Sequence, residues 1–219
     1  MAKNTLLIWG GGGHALAVRD IVRAAGNYDR IVVMVDPGSV LDVRPSLIPE
    51  MAHANCTPAE LLNSGISHAV VAIGDCQLRE EKAAMLRRQG FTMARIVHPT
   101  AVISPDAEIG EGTVIGPMAM VGSFARVGSD VILNTGCIVE HECNVADGVH
   151  VGPGAKLAGR VSVGAGAWIG IGAVILDRRS IGSGAIVGAG AVVTRDIDER
   201  MMAYGVPARP IRRVDATHG

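Results

Sequence analysis

A six-residue rhythm in the second half of the chain limits the fold more than any other feature. Every sixth residue from Val97 reads Val97, Ile103, Ile109, Ile115, Val121, Val127, Leu133, Val139, Val145, Val151, Leu157, Val163, Ile169, Ile175, Ile181, Val187 and Val193, without an insertion. The next residue is glycine at 110, 116, 122, 128, 152, 164, 170, 182 and 188. The fourth residue after the aliphatic is mostly small, as at Ala107, Ala119, Cys137, Cys143, Ala155 and Ala191. A fixed period of this kind marks a repeat architecture. Six residues make one short strand and one corner. The aliphatic is expected to point inward, the small residue to fit a crowded interior, and the glycine to take a corner conformation that is costly for side chains. Three units close a triangular coil, and coils stack about 4.8 Å apart with parallel pairing. The expectation is a hexapeptide parallel β-helix of about five and a half coils between residues 97 and 197.

Composition agrees. The 219 residues are 48% hydrophobic but only 3% aromatic, with 29 glycines, as thin stacked layers require. The glycines have no three-residue period, which excludes collagen. The formal net charge of −1 demands no basic face for nucleic acid. No signal peptide is read at the start, no apolar run reaches the ~20 residues of a membrane span, and the four cysteines lack CxxC spacing. A cytoplasmic protein with free thiols is expected.

The first half reads differently. Strands are expected at residues 4–9, 31–35 and 68–73, and helices at about 15–25, 58–64 and 77–89. Pro58 stands at the first position of the second helix after a Thr57 cap, and the third helix carries its charges outward. Residues 38–66 are otherwise weakly patterned. This alternation makes a small parallel α/β domain over residues 1–95, followed by the β-helix and C-terminal tail over 96–219. Gly10, Gly12 and Ala15 fit G-x-G-x-x-A between a strand and a helix, and Asp36 ends the next strand. Taken alone this pattern fits a dinucleotide. Three strands give room for one mononucleotide half. A nucleotide or nucleotide-sugar phosphate at the helix N-terminus, a dinucleotide, and a tight turn without ligand all stay open.

Rules written into a sequence tend to fail at functional sites. Three successive corner glycines are replaced, by Asn134, Glu140 and Ala146, and the same stretch holds His141, Glu142 and His150. His141 is expected to stack between Ser123 and Gly159, open to a ligand. Glu142 is expected between Phe124 and Arg160. It can orient His141 and raise its basicity, or simply pair with Arg160, or do both. His141 and His150 fall on different faces, and no third histidine completes a metal site in one chain, so no metal is expected.

The segments IWGGGGHALAVRD, VVAIGDCQLRE, VILNTGCIVEHEC, GVHVGPGAKLAG and YGVPAR together resemble one subgroup of the left-handed β-helix acyltransferases. These are the nucleotide-sugar N-acetyltransferases acting on 4-amino-4,6-dideoxy sugars. The resemblance covers nearly the whole chain and supplies the handedness. It implies a small Rossmann-like N-terminal domain, acetyl-CoA as co-substrate, and a homotrimer with acetyl-CoA between neighbouring β-helices. It implies that His141 is the general base and Glu142 its partner. His150, Ile171 and Ala189 then match the acetyl-CoA site, and Gly159 a backbone donor near the thioester carbonyl. Gly12, Gly13, His14, Asp36 and Gly74 match the nucleotide-sugar site. Relatives often have Ser or Ala in the four-glycine loop, so phosphate contacts there fall to backbone N–H groups and His14. Within the subgroup the enzymes for GDP-perosamine and for UDP-linked amino sugars are both similar to this chain, and the resemblance leans to GDP-perosamine as acceptor. The sialic-acid O-acetyltransferases also look similar. Cys137 and Cys143, at inward positions, are packing residues rather than nucleophiles. Two other classes of reading are a non-catalytic nucleotide-sugar scaffold and an NAD enzyme with a β-helix oligomerisation module.

Overall fold

The computed structural model describes residues 4–36 and 56–214. The weakly patterned stretch through residue 55 and the last five residues of the tail lie outside the described residues.

The N-terminal region builds a four-stranded parallel sheet from β1 (Thr5–Trp9), β2 (Arg30–Met34), β3 (His68–Val71) and β4 (Thr92–Met93), in the order β2-β1-β3-β4. Helices α1 (Gly13–Ala25), α2 (Pro58–Asn63) and α3 (Cys76–Gln89) connect them. Strand side chains alternate between two cores. Leu6, Ile8, Ile31 and Val33 face α1, whose Val18, Ile21 and Val22 carry this core on to Ile96 and Val114 of the solenoid. Leu7, Trp9, Val32 and Met34 face the other side, against Leu61 of α2 and Ala83 and Leu86 of α3. Thr57 caps α2 with a full capping box to Glu60, and Pro58 opens the helix, as expected.

The expectation that α3 keeps its charges outward fails at Arg79, which is only 1% exposed. Its guanidinium donates to the carbonyls of Ile73, Gly74 and Asp75 (2.9, 3.0 and 3.2 Å) and of Asp130 and Gly148 in the solenoid (2.8 and 2.5 Å). Five carbonyl dipoles take the place of a carboxylate partner and pin the α/β region to the prism.

From Ile96 the chain coils as a three-faced parallel solenoid of two-residue strands. The first face carries strands such as Ile132–Leu133, His150–Val151 and Trp168–Ile169. The second carries Ile138–Val139 and Lys156–Leu157, and the third Asn144–Val145 and Ser162–Val163. From Ile115 to Val193 every repeat aliphatic is buried, and the small residues pack between them. A hairpin of Met201–Gly205 and Ala208–Arg213 extends the first face.

The repeat glycines serve a different purpose from the one expected. Positive φ falls two residues further on, at Gly136, Gly148 and Gly154 and also at Phe124, Glu142, Arg160 and Arg178. The glycine right after the aliphatic is needed for close approach. A Cβ at Gly110 would lie 2.4 Å from the Gly128 backbone, and one at Gly122 would lie 2.6 Å from the His141 backbone nitrogen.

Candidate active site

His141 and Glu142 follow the Ile138–Val139 strand, on the edge between the second and third faces. Gly159 in the coil below contributes no side chain beneath the imidazole. His141 Nδ1 lies 3.0 Å from Glu142 Oε2, and the same oxygen accepts from Arg160 Nη2 at 2.8 Å. The contact with His141 and the vertical salt bridge to Arg160 therefore coexist. The bond from His141 and then that from Arg160 hold the Glu142 carboxyl below its ordinary range. A carboxylate only accepts, so in the neutral ring the His141 proton sits on Nδ1 and the lone pair on Nε2. The Gly159 carbonyl accepts from Arg178 N–H at 3.0 Å. Among the described residues its own N–H donates to no protein group.

The nucleotide-sugar candidates gather at the carboxyl ends of β1, β2 and β3. Gly10, at φ +154, is the glycine the loop requires, because a Cβ there would lie 2.4 Å from the Ala72 carbonyl oxygen. Gly12 is the N-cap of α1 without a side-chain cap, and Cβ atoms on Gly12 and Gly13 would meet nothing. His14 sits in the first turn of α1, and its Nε2 is buried without a hydrogen-bond partner. Burial first, then His150 and Arg79, push its pKa down to about 4. It is therefore neutral at pH 7 and can offer an N–H, not a cation. Asp36 Oδ1 already accepts from Lys82 Nζ at 2.6 Å, and that ammonium lies 4.5 Å from the centre of the Trp9 ring.

His150 joins this cluster to the prism. Its Nδ1 donates to the Gly74 carbonyl at 3.3 Å, so its Nε2 accepts from Asn134 Nδ2, also at 3.3 Å. Its ring centre lies 6.3 Å from that of His14 and 6.1 Å from that of Trp168. Burial and then Arg79 depress its pKa to about 4. Both ring nitrogens are engaged within the protein, which leaves the ring face and backbone for a ligand. His150 lines two spaces. One is a cavity of about 610 Å³ under the start of α3, bounded also by Gly74, Glu80, Trp168 and Arg200. The other is a groove of about 190 Å³ on the edge between the first and second faces, where Ile171 and Ala189 also lie.

One chain thus brings Gly12, Gly13, His14, Asp36, Gly74, His150, Ile171 and Ala189 to one side, and His141, Glu142 and Gly159 to another edge. Sequence reasoning missed Arg79 and Lys82. The signal for Arg79 was available: it shares a face of α3 with Ala83 and Leu86. Lys82 becomes visible only once the fold brings its side chain to Asp36 and the Trp9 ring.

Burial raises the Cys137 and Cys143 thiols to about 12 and about 11, which suits packing rather than nucleophilic chemistry. Among the described residues no group of three or more His, Cys, Asp or Glu side chains could hold a metal ion. No described helix is long and apolar enough to cross a membrane.

Comparison with known proteins decides the family. Residues 5–86 match the PglD N-terminal domain, and residues 160–195 match the bacterial transferase hexapeptide repeats. The structure of PerB from Caulobacter crescentus, in complex with CoA and GDP-perosamine, is 35% identical with a TM-score of 0.86. The match covers 95% of this chain and 97% of that one. The chain belongs to the left-handed β-helix nucleotide-sugar N-acetyltransferases. Other members of the family align as fully. The acetyltransferase domain of PglB from Neisseria gonorrhoeae, in complex with acetyl coenzyme A, is 33% identical over 96% of this chain and 100% of that one, with a TM-score of 0.85. A histidine-to-alanine variant of the Caulobacter enzyme, also holding CoA and GDP-perosamine, superposes with a TM-score of 0.88 at 33% identity, over 95% of this chain and 97% of that one.

Proposed function

We propose that this chain transfers the acetyl group of acetyl-CoA to the 4-amino group of a GDP-linked 4-amino-4,6-dideoxyhexose of the perosamine type, in the cytoplasm. His141 is the general base. The observation that carries the reading is the His141 arrangement: Nδ1 is tied to Glu142 and Nε2 is open beside a residue with no side chain. Neighbours bound to CoA and GDP-perosamine support the choice of substrates.

The chemistry follows from the atoms. The sugar's 4-ammonium gives one proton to His141 Nε2, and the free amine attacks the thioester carbonyl carbon. Glu142 stabilises the imidazolium through Nδ1–H. The carbonyl oxygen becomes an oxyanion, to which the Gly159 N–H can donate. Collapse breaks the carbon–sulfur bond, and the second amine proton leaves with the sulfur as CoA thiol. His141 returns its proton to solvent. Such a base is worth roughly two to four decades in rate.

The substrates bind elsewhere on the chain. The α1 N-terminus, with Gly12, Gly13 and His14, takes the diphosphate; Asp36 and Gly74 take the nucleoside side. His150, Ile171 and Ala189 line the acetyl-CoA groove. The nucleotide-sugar region spans residues 1–95 and the acetyl-transferring β-helix residues 96–219. Since base and groove stand on different edges of one prism, the site closes between copies, and the assembly is a homotrimer.

Thermal unfolding with GDP- and UDP-linked amino sugars tests the substrate. At a hundred times its Kd, the true ligand adds about 2.7 kcal/mol. A shift with UDP-linked sugars alone would replace GDP by UDP in this reading. Turnover of acetyl-CoA into an O-acetylated but not an N-acetylated product would replace the reaction.

A further inference from the structure

Two cations on one face of α3 hold the loops that follow β3 and β2. Arg79 donates to the carbonyls of Ile73, Gly74 and Asp75, just past β3. Lys82, three residues further along the helix, stands on the same face and reaches farther. Helix α3 packs on β3 and β4, yet the Lys82 side chain crosses Trp9 of β1 to meet Asp36 beyond the end of β2. Strand β1 lies between β2 and β3, so the glycine loop and the N-terminus of α1 follow the strand between the two held loops.

The lysine is fixed twice. Its Nζ donates to Asp36 Oδ1 at 2.6 Å and lies 4.5 Å from the centre of the Trp9 ring. Trp9 is only 4% exposed and belongs to a central strand, so the ring is a rigid platform for the ammonium. The Lys82 side chain is 16% exposed and that of Asp36 is 35% exposed. The carboxylate is therefore the part a ligand reaches, and the lysine stands behind it. Among the described residues Asp36 Oδ2 has no hydrogen-bond partner.

We propose that Lys82 is a positioning residue for the nucleotide-sugar, acting through Asp36. It holds Oδ1 and leaves Oδ2 to accept from a ribose hydroxyl, and its charge offsets the carboxylate beside a diphosphate. The inference rests on Asp36 taking the nucleoside end of the substrate. A carboxylate at the end of the second strand of such a sheet is placed for a ribose. Without the ammonium, that carboxylate would be free to change rotamer and would repel the diphosphate bound at the α1 N-terminus.

The test is steady-state kinetics on the full-length protein, varying acetyl-CoA and the GDP- or UDP-linked 4-amino-4,6-dideoxyhexose separately. Lys82→Met should raise the nucleotide-sugar KM about five- to tenfold. Its kcat and acetyl-CoA KM should stay within about twofold of native. Lys82→Arg can still hold a carboxylate and lie on an indole, so its nucleotide-sugar KM should stay within about threefold. In an Asp36→Ala background, Lys82→Met should add less than about twofold, because the group it positions is gone. Circular dichroism checks that each variant folds; if Lys82→Met does not, Lys82→Gln carries the same expectation. An unchanged nucleotide-sugar KM in Lys82→Met, alongside a raised one in Asp36→Ala, overturns the proposal and leaves the Asp36 assignment standing. Effects of the two substitutions that multiply in the double variant overturn it too, since Lys82 would then meet the ligand itself. A loss of kcat and acetyl-CoA affinity together would make Lys82 a support of the fold instead. No change in Asp36→Ala would reject the nucleoside assignment, and the proposal with it.

Discussion

His141 and His150 lie half a coil apart and occupy opposite surroundings. His141 stands on an exposed edge, with one nitrogen held by a carboxylate and the other open. His150 is wedged between the α/β region and the prism, both nitrogens bonded, its neighbours a second histidine and a buried arginine. The same side chain can take a proton in the first setting and is kept neutral in the second. What separates them is what the chain builds around each: a glycine below the His141 ring, and an interdomain clamp beside His150.

The sharpest way to break this contrast is to remove the open nitrogen. His141→Asn keeps size and some hydrogen bonding, and should lower kcat by at least about two decades with little change in substrate affinity. Near-normal kcat in steady-state assays would make His141 no different from His150. Glu142→Ala should cost less, since it tunes the base.

The buried pair gives the next effect. His14 and His150 have native pKa values of about 4 against an ordinary 6.5. As pH falls below 6.5 the unfolded chain takes up protons that the native state refuses until about pH 4. Stability should be full at pH 7 and fall steadily between about 6.5 and 4. The loss at pH 5 should be roughly 2 kcal/mol or more, much of it absent in a His14→Ala, His150→Ala double variant. Chemical denaturation at pH 7 and pH 5 measures this. An equal loss in the double variant would show that these imidazoles are not the neutral, buried groups described.

Smaller effects concern binding. His14→Ala and Asp36→Ala should raise the nucleotide-sugar KM about tenfold and leave the acetyl-CoA KM within a few-fold. His14 belongs at the low end because it is neutral. Kinetics varying each substrate separately decides. A selective rise for acetyl-CoA would exchange the two sites.

The solenoid was legible because a strict period survives one-dimensional reading: Val97 to Val193 name the inward face directly. The helix caps of α2 were legible for a similar reason, being local in Thr57, Pro58 and Glu60. The role of the repeat glycines was misplaced, since crowding by the next coil depends on stacking distance and not on neighbours in sequence. Arg79 was missed because its carbonyl partners come from loops far apart in the chain. His150 was read with the groove residues Ile171 and Ala189, and it does line that groove. Its bonds to Gly74 and Asn134 needed three dimensions. The separation of His141 from the groove was implicit in the repeat, since corners alternate among three edges.

That separation is the core of the proposal that the base of one copy serves the groove of the next. Coexpression tests it with two variants, each inactive alone. His141→Asn loses the base and Ala189→Phe blocks the groove. If sites form between copies of a trimer, mixed assemblies rebuild intact sites, and random mixing should restore about a quarter of native activity per site. Size-exclusion chromatography confirms that the mixture assembles like the native protein. Recovered acetyl transfer to the amino sugar at that level is the result expected. A properly assembled mixture with no recovered activity would contradict it and place base and groove in the service of a single chain.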